Sequence, residues 1–316
     1  MAKDKTQPRA ALTARREAER QAQAEAAAKR RRKLLINWLI AVVIVALVAA
    51  GITYVIVHLN TQKRELSVTG PAGTAPVHPP NATKDGLAIL ANPGATLASG
   101  APTVDLYVDF QMSQSTAVMQ FYQASLGHLA DQGKIALRVH FLTTQDTALS
   151  NTASERGAIA AACADTVGKF WPYVTAAFTA APTTSKAGDI TFTQNQLTQT
   201  FASSAGITGD DLRSFQTCYN TRATQPFIET MNTSNQSTAI PGNQTYTSGI
   251  RTTPVVLADN KTVDITSDLY SQTAATADDA ALLKLLTDAA TPTPTPTATP
   301  SDSGTPTDAG TPTPSS

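Results

Sequence analysis

Few residues in this chain could carry redox, nucleophilic or metal chemistry: Cys163 and Cys218, four histidines, and the turn Asp109-Phe110-Gln111-Met112-Ser113-Gln114-Ser115. His58, His78, His128 and His140 show neither His-x-His nor His-Glu-x-x-His spacing, so no metal site is expected. No Gly-x-x-x-x-Gly-Lys loop cradles a phosphate, no cofactor motif is present, and Ser115 lacks the Gly-x-Ser-x-Gly setting of a hydrolase nucleophile. The two cysteines are far apart and at no Cys-x-x-Cys turn, which leaves two readings, a structural disulfide or a relocated redox pair.

The elements that must position the turn are legible around it. Thr103 to Phe110 is a β-branched and aromatic run, whereas Val118, Phe121, Tyr122, Leu126 and Leu129 recur at helical spacing. Strand, short turn and helix follow. The junction resembles the DsbA-like branch of the thioredoxin superfamily, in which Asp-Phe-Gln runs into Cys-x-x-Cys at the helix start. Here Met112 and Ser115 hold the two cysteine positions. A thiol at a helix N-terminus is acidified by the helix dipole and exchanges disulfides as its thiolate. Methionine has no proton to lose and a serine hydroxyl keeps its own, so the scaffold is retained without the atoms of its chemistry.

Charge and hydropathy divide the chain. Its 24 basic and 24 acidic residues cancel, yet residues 1–33 hold 11 Lys and Arg against 4 Asp and Glu. Leu34 to Leu59 is a run of 26 residues with no Lys, Arg, Asp or Glu. At about 1.5 Å per residue such a helix spans a hydrocarbon core of about 30 Å. Trp38 and Tyr54 lie near its ends, and Lys29-Arg30-Arg31-Arg32-Lys33 abuts its amino side. The positive-inside rule then puts the amino end in the cytoplasm and the rest of the chain outside the cell membrane, held by an uncleaved signal anchor. The basic segment is a topology signal with no nucleic-acid partner expected.

Residues 60–83 form a Pro-rich spacer, and a globular domain is expected over 84–290. Its strands are Gly86 to Ala91, Thr103 to Phe110 and Ile135 to Leu142, with a right-handed β-α-β crossover. Helices are expected at Ala153 to Ala164, Phe170 to Phe178, Gln194 to Ala202, Asp210 to Tyr219 with Thr208 as N-cap, and around Phe227. A hairpin, Val255 to Leu257 and Thr262 to Ile265, and a helix from Ala277 to Ala289 close the domain. Residues 291–316 are Thr- and Pro-rich and too polar to build a core.

The resemblance implies an α/β thioredoxin fold with a helical insertion at about 143–238, preceded by one transmembrane helix. Gly249-Ile250-Arg251-Thr252-Thr253-Pro254 is similar to the family's Gly-Val-x-x-Thr-Pro segment, which implies a cis Pro254 facing the helix start. Several DsbA-like proteins carry a second, structural disulfide across the insertion, which implies a Cys163–Cys218 pair. Closing a loop of about 55 residues stabilises by about 4 kcal/mol in the chain-entropy model. The implied function is binding without catalysis: an extracytoplasmic peptide or protein partner at Met112, Ser113, Gln114, Ser115, Thr253 and Pro254, where relatives pair main chain with an extended peptide. The competing readings are a thiol-disulfide oxidoreductase or accessory subunit in disulfide formation, and a structural envelope spacer.

Overall fold

The computed structural model describes Val43, Leu47 and Gly51, then residues 75–182, 192–265 and 277–291. The basic segment, nearly all of the expected span Leu34–Leu59 and the tail beyond Thr291 lie outside the described residues. Among those described, no helix is long and apolar enough to cross a membrane. The chain divides into the units Met1–Ser67 and Val68–Ser316, and the second holds all the elements below.

Five strands, β1 (Ile89–Leu90), β2 (Thr103–Val108), β3 (Ala136–Phe141), β4 (Val255–Ala258) and β5 (Lys261–Val263), form one sheet in the order β1-β3-β2-β4-β5. The central pair β2 and β3 is parallel, from Thr103 opposite Ala136 to Val108 opposite Phe141, and α1 (Ser113–Asp131) makes the crossover. β4 runs antiparallel to β2 with Tyr107 opposite Val255. β5 folds back on β4 through Asp259 and Asn260, whose φ values of 46° and 67° suit a two-residue hairpin turn that Asp and Asn tolerate.

Alternation along the strands sorts their side chains. Val104, Leu106 and Val108, with Val139, Phe141 and Val256, belong to the main core together with Val118, Met119, Tyr122 and Leu126 of α1. Tyr107, Val255 and Leu257 pack on the other face with Leu142 and Ile250. Burial of both faces is why β2 reads as a nearly continuous apolar run. Asp105 interrupts it, and it is paired: Arg138 donates to both carboxylate oxygens at 2.6 Å, and His140 Nε2 stands 2.8 Å away.

Between β3 and β4 lie α2 (Thr144–Leu149), α3 (Ala153–Asp165), α4 (Phe170–Ala180), a π turn (Gln196–Thr200) leading into α5 (Phe201–Ser204), α6 (Gly209–Asn220) and α7 (Gln225–Ser237). α8 (Asp279–Ala290) follows the hairpin, started by Asp278, whose carboxylate accepts the Ala281 N–H. This α/β architecture, a five-stranded sheet with helices inserted between the third strand and the hairpin, is the one that the thioredoxin resemblance implies. α3 is buried along nearly its whole length, and its alanine-rich surface lets α4, α6 and α7 pack around it.

Several local expectations shift. β1 is two residues long where Gly86 to Ala91 was expected, because the Leu87 carbonyl is taken by Asn235 Nδ2. The helix expected over Gln194 to Ala202 contains the π turn, where Thr198 Oγ1 bonds the Gln194 carbonyl and competes with the regular ladder. Thr208 occupies the N-cap position of α6, but its side chain makes no capping hydrogen bond. The packed domain also begins before Lys84. Val77 N–H donates to the Ala223 carbonyl, His78 meets the Phe227 ring edge-on at 4.9 Å, and Asn81 donates twice to the Asp165 carboxylate. The end of the Pro-rich spacer is thus docked on the insertion, since prolines forbid helix but not contact.

Candidate binding site at the Met112 turn

Met112 is the N-cap residue of α1, in extended conformation and half-buried, with no side-chain cap. Ser113 is half-buried, Gln114 is exposed, and Ser115 is fully buried. The Ser115 hydroxyl turns inward and accepts the Asp109 N–H at 3.3 Å. Of the two positions where the resemblance implies thiols, the first therefore opens to the surface and the second lies beneath it.

The three residues before Met112 clamp the turn to the helical insertion. Phe110 stacks on Phe178 at 4.6 Å and Phe141 at 5.2 Å, and meets Phe192 edge-on at 6.0 Å. Gly157 of α3 makes room, because a Cβ there would come within 2.8 Å of the Phe110 ring. Gln111 Nε2 donates to Asp146, Asn151 and Ser154, and its carbonyl oxygen accepts from Asn151 Nδ2. Asp109 is buried and accepts from the Ser154 hydroxyl at 2.5 Å, the Gln111 and Gln145 N–H groups at 2.9 and 3.0 Å, and the Thr144 hydroxyl.

Two carboxylates thus sit behind the turn. Burial pushes the Asp109 carboxyl above its usual range, and the hydrogen bonds it accepts only partly offset this. Burial likewise pushes Asp146 up, to about 7; the Glu155 and Ser154 N–H groups oppose the shift, and the charges of Asp109 and Glu155 add to it. The Asp146 carboxylate meets those N–H groups at 2.9 and 2.8 Å, at the otherwise unsatisfied start of α3. Sequence reasoning missed this network. The one available signal was Asp109 itself, a carboxylate directly after a buried strand.

Thr253–Pro254 is a cis peptide bond. Pro254 directly precedes the Tyr107–Val255 pair, so the register puts this loop at the sheet edge where β2 gives way to the Met112 turn. Arg251 and Thr252 are exposed and Pro254 is half-buried, while Thr253 is buried and its Oγ1 has no hydrogen-bond partner among the described residues. Ile250 N–H donates to the Asn235 carbonyl at 2.8 Å, tying the loop to α7. Sequence-expected residues of both segments therefore share one edge, with Ser115 and Thr253 beneath it and not on its surface.

Cys163 of α3 and Cys218 of α6 form a disulfide, buried at 0% and 9% exposure. These are the chain's two cysteines, so neither is a free thiol. Among the described residues, no cluster of His, Cys, Asp or Glu is placed to hold a metal ion.

No protein-family model and no curated protein matches the chain. Among solved structures it is similar to MdbA, a thiol-disulfide oxidoreductase from Actinomyces oris, at 15% identity over 69% of this chain and 96% of that chain, TM-score 0.48. It is also similar to reduced DsbA from Mycobacterium tuberculosis, at 16% identity over 66% and 94% of the two chains, TM-score 0.45. Reduced DsbG, a disulfide bond oxidoreductase of the same organism, matches at 16% identity over 65% and 88%, TM-score 0.43.

Proposed function

We propose that this is a membrane-anchored, extracytoplasmic thioredoxin-fold protein that binds an extended peptide or protein segment at the Met112 edge and performs no disulfide exchange. The observation that carries the reading is the state of its sulfur. Both cysteines are committed to one buried disulfide between α3 and α6, and the helix start has Met112 and Ser115. Exchange needs a thiolate attacker, and no group at the turn supplies one.

Binding keeps what remains. A half-buried thioether at a helix N-terminus offers adaptable apolar contact, and the exposed residues Arg251 and Thr252 beside the cis-Pro254 bond are where an extended segment would pair. The clamp of Asp109, Phe110 and Gln111 on the insertion holds this edge in shape before a ligand arrives, which lowers the ordering cost of binding. The anchor expected at Leu34–Leu59 would fix the domain in the oxidising space where a disulfide persists.

The test is site-specific photo-crosslinking in intact cells, with the probe placed at exposed Gln114 and, as control, at exposed Lys284 on α8. Discrete adducts from position 114 that are absent at 284 support the reading. Adducts at neither position, or the same adducts at both, would remove it. Disulfide exchange by the purified wild type that persists in Cys163→Ser with Cys218→Ser would overturn the redox-silent part independently.

A further inference from the structure

His140 shares the second sheet face with Tyr107, its partner in register, and the two rings stack at 4.0 Å. Each nitrogen of the buried imidazole meets an oxygen: Nε2 stands 2.8 Å from Asp105 Oδ1, and Nδ1 stands 3.2 Å from Asn235 Oδ1. The Asn235 amide cannot be turned round, because its Nδ2 donates to the Leu87 carbonyl at 2.9 Å and a carbonyl only accepts. A carboxylate only accepts as well. Both ring nitrogens therefore donate, which the imidazolium alone can do.

A neutral ring has no satisfied alternative. If it keeps its proton on Nε2 for the carboxylate, the Nδ1 lone pair faces Asn235 Oδ1, and rotating the amide only moves the conflict to Leu87. Asn235 is 3% exposed, so the unpaired atoms stay away from water and are costly. Charge leads to the same state. Asp105 of β2, Arg138 of β3 and Asp85 ahead of β1 are the charged groups that act on the ring, and α7 presents the Asn235 amide to it. Burial pushes the carboxyls of Asp85 and Asp105 up, but the hydrogen bonds they accept and the charges of Arg138 and His140 outweigh it and hold both below the usual range. Burial pushes the Tyr107 and Tyr246 phenols on this face up, so they stay neutral. Two carboxylates against one guanidinium leave one negative charge, which the imidazolium balances.

The ring braces the loop at the Met112 edge from two sides. The Asn235 main-chain carbonyl accepts the Ile250 N–H at 2.8 Å, and Tyr107 pairs with Val255, next to cis-Pro254. We propose that doubly protonated His140 latches the cis-Pro254 loop in its binding shape, and that the latch opens as pH rises through the range in which histidines lose their charge. This regulation rests on the reading of the Met112 edge as a binding site, but the latch itself is measured with no ligand present.

The full chain in nanodiscs, labelled with ring-15N histidine, carries four histidines, and the His140 signals are those missing from His140→Gln. At about pH 5 both of its ring nitrogens should be protonated, and on raising the pH to about 8 Nδ1 should lose its proton while Nε2 keeps it. Hydrogen exchange of the Ile250 amide, corrected for its intrinsic rate, should lose protection at least about tenfold over the same interval, the loss of one charge-assisted hydrogen bond. Asp146→Asn should leave that fall in place, and His140→Gln should remove its pH dependence. A ring with a single proton at the acid end, a ring that keeps both throughout, or Ile250 protection that stays constant while the ring titrates would each overturn the proposal. So would a fall that disappears in Asp146→Asn, which would assign it to the carboxylates behind Met112. Crosslinking from position 114 decides the binding reading separately, so the two failures are told apart.

Discussion

Asp109 and Asp146 are held by one residue: Ser154 donates its hydroxyl to the first at 2.5 Å and its N–H to the second at 2.8 Å. Both carboxyls are raised, Asp146 to about 7. An acid whose folded value lies above its unfolded one binds more protons when folded, so its stabilising contribution is complete at low pH and lost as pH rises. For Asp146 the window runs from about 4 to about 7. Urea midpoints of the wild type should fall across it, with a slope of at most about 1.4 kcal/mol per pH unit. Asp146→Asn should flatten that slope, and an unchanged slope would show that another group sets it.

Asp105 should behave with the opposite sign. Burial pushes its carboxyl up, but the hydrogen bonds and charges of His140 and Arg138 outweigh this and hold it below the usual range. Its contribution is present above the ordinary carboxylate value and lost as pH falls through the lowered one. Asp105→Asn leaves His140 and Arg138 facing a neutral amide and should cost about 3–5 kcal/mol at neutral pH. The gap from the wild type should narrow on acidification, as measured by denaturant titration.

The disulfide joins helices separated by 55 residues of chain. Replacing both Cys163 and Cys218 with Ser should lower stability by about 4 kcal/mol, the loop-entropy value. Non-reducing mass spectrometry of the wild type should find one intramolecular bridge, and two alkylatable thiols in protein prepared with blocking reagent would contradict it.

The turn can be asked to carry out disulfide exchange. Met112→Cys with Ser115→Cys puts an accessible thiol at the N-cap and a buried one a turn later, beside Asp109. This pair should form a bridge and reduce a disulfide substrate, its first thiol acidified by the helix start. Met112→Cys alone should trap mixed disulfides without turnover. A double variant that closes its bridge yet neither exchanges nor binds peptide would count against the proposed binding edge.

Orientation is tested by protease added to intact cells. Digestion of the domain from Lys84 onward, with the first residues spared, is the expected result; full protection of the domain would reverse the topology.

The sequence made the sheet legible because its strands are apolar on both faces and its helices carry a 3.6-residue stripe. Val104, Leu106, Val118 and Tyr122 all lie where that pattern puts them. The clamp behind Met112 was not legible, since Asp146, Asn151 and Ser154 join Asp109 and Gln111 only through tertiary contact. α2 escaped notice for a related reason: none of its six residues is fully buried and Asp146 is half-buried as a carboxylate, so it has no apolar period to read. The docking of Val77 and Asn81 was hidden by neighbouring prolines, whose meaning for helix propensity says nothing about packing.

The sheet's two margins are its shortest strands. β1 pairs through two residues, and β5 has three, with Lys261 and Thr262 turned to solvent. Margins this short, one carrying Lys261 and the other already bonded to Asn81 through the Leu90 N–H, give another chain little to pair with. Many copies crowded on one surface would therefore resist stacking into fibres through their sheets. If the proposed peptide binding holds, a strand-like ligand is left the short stretch before β4, long enough to pair with only a few residues.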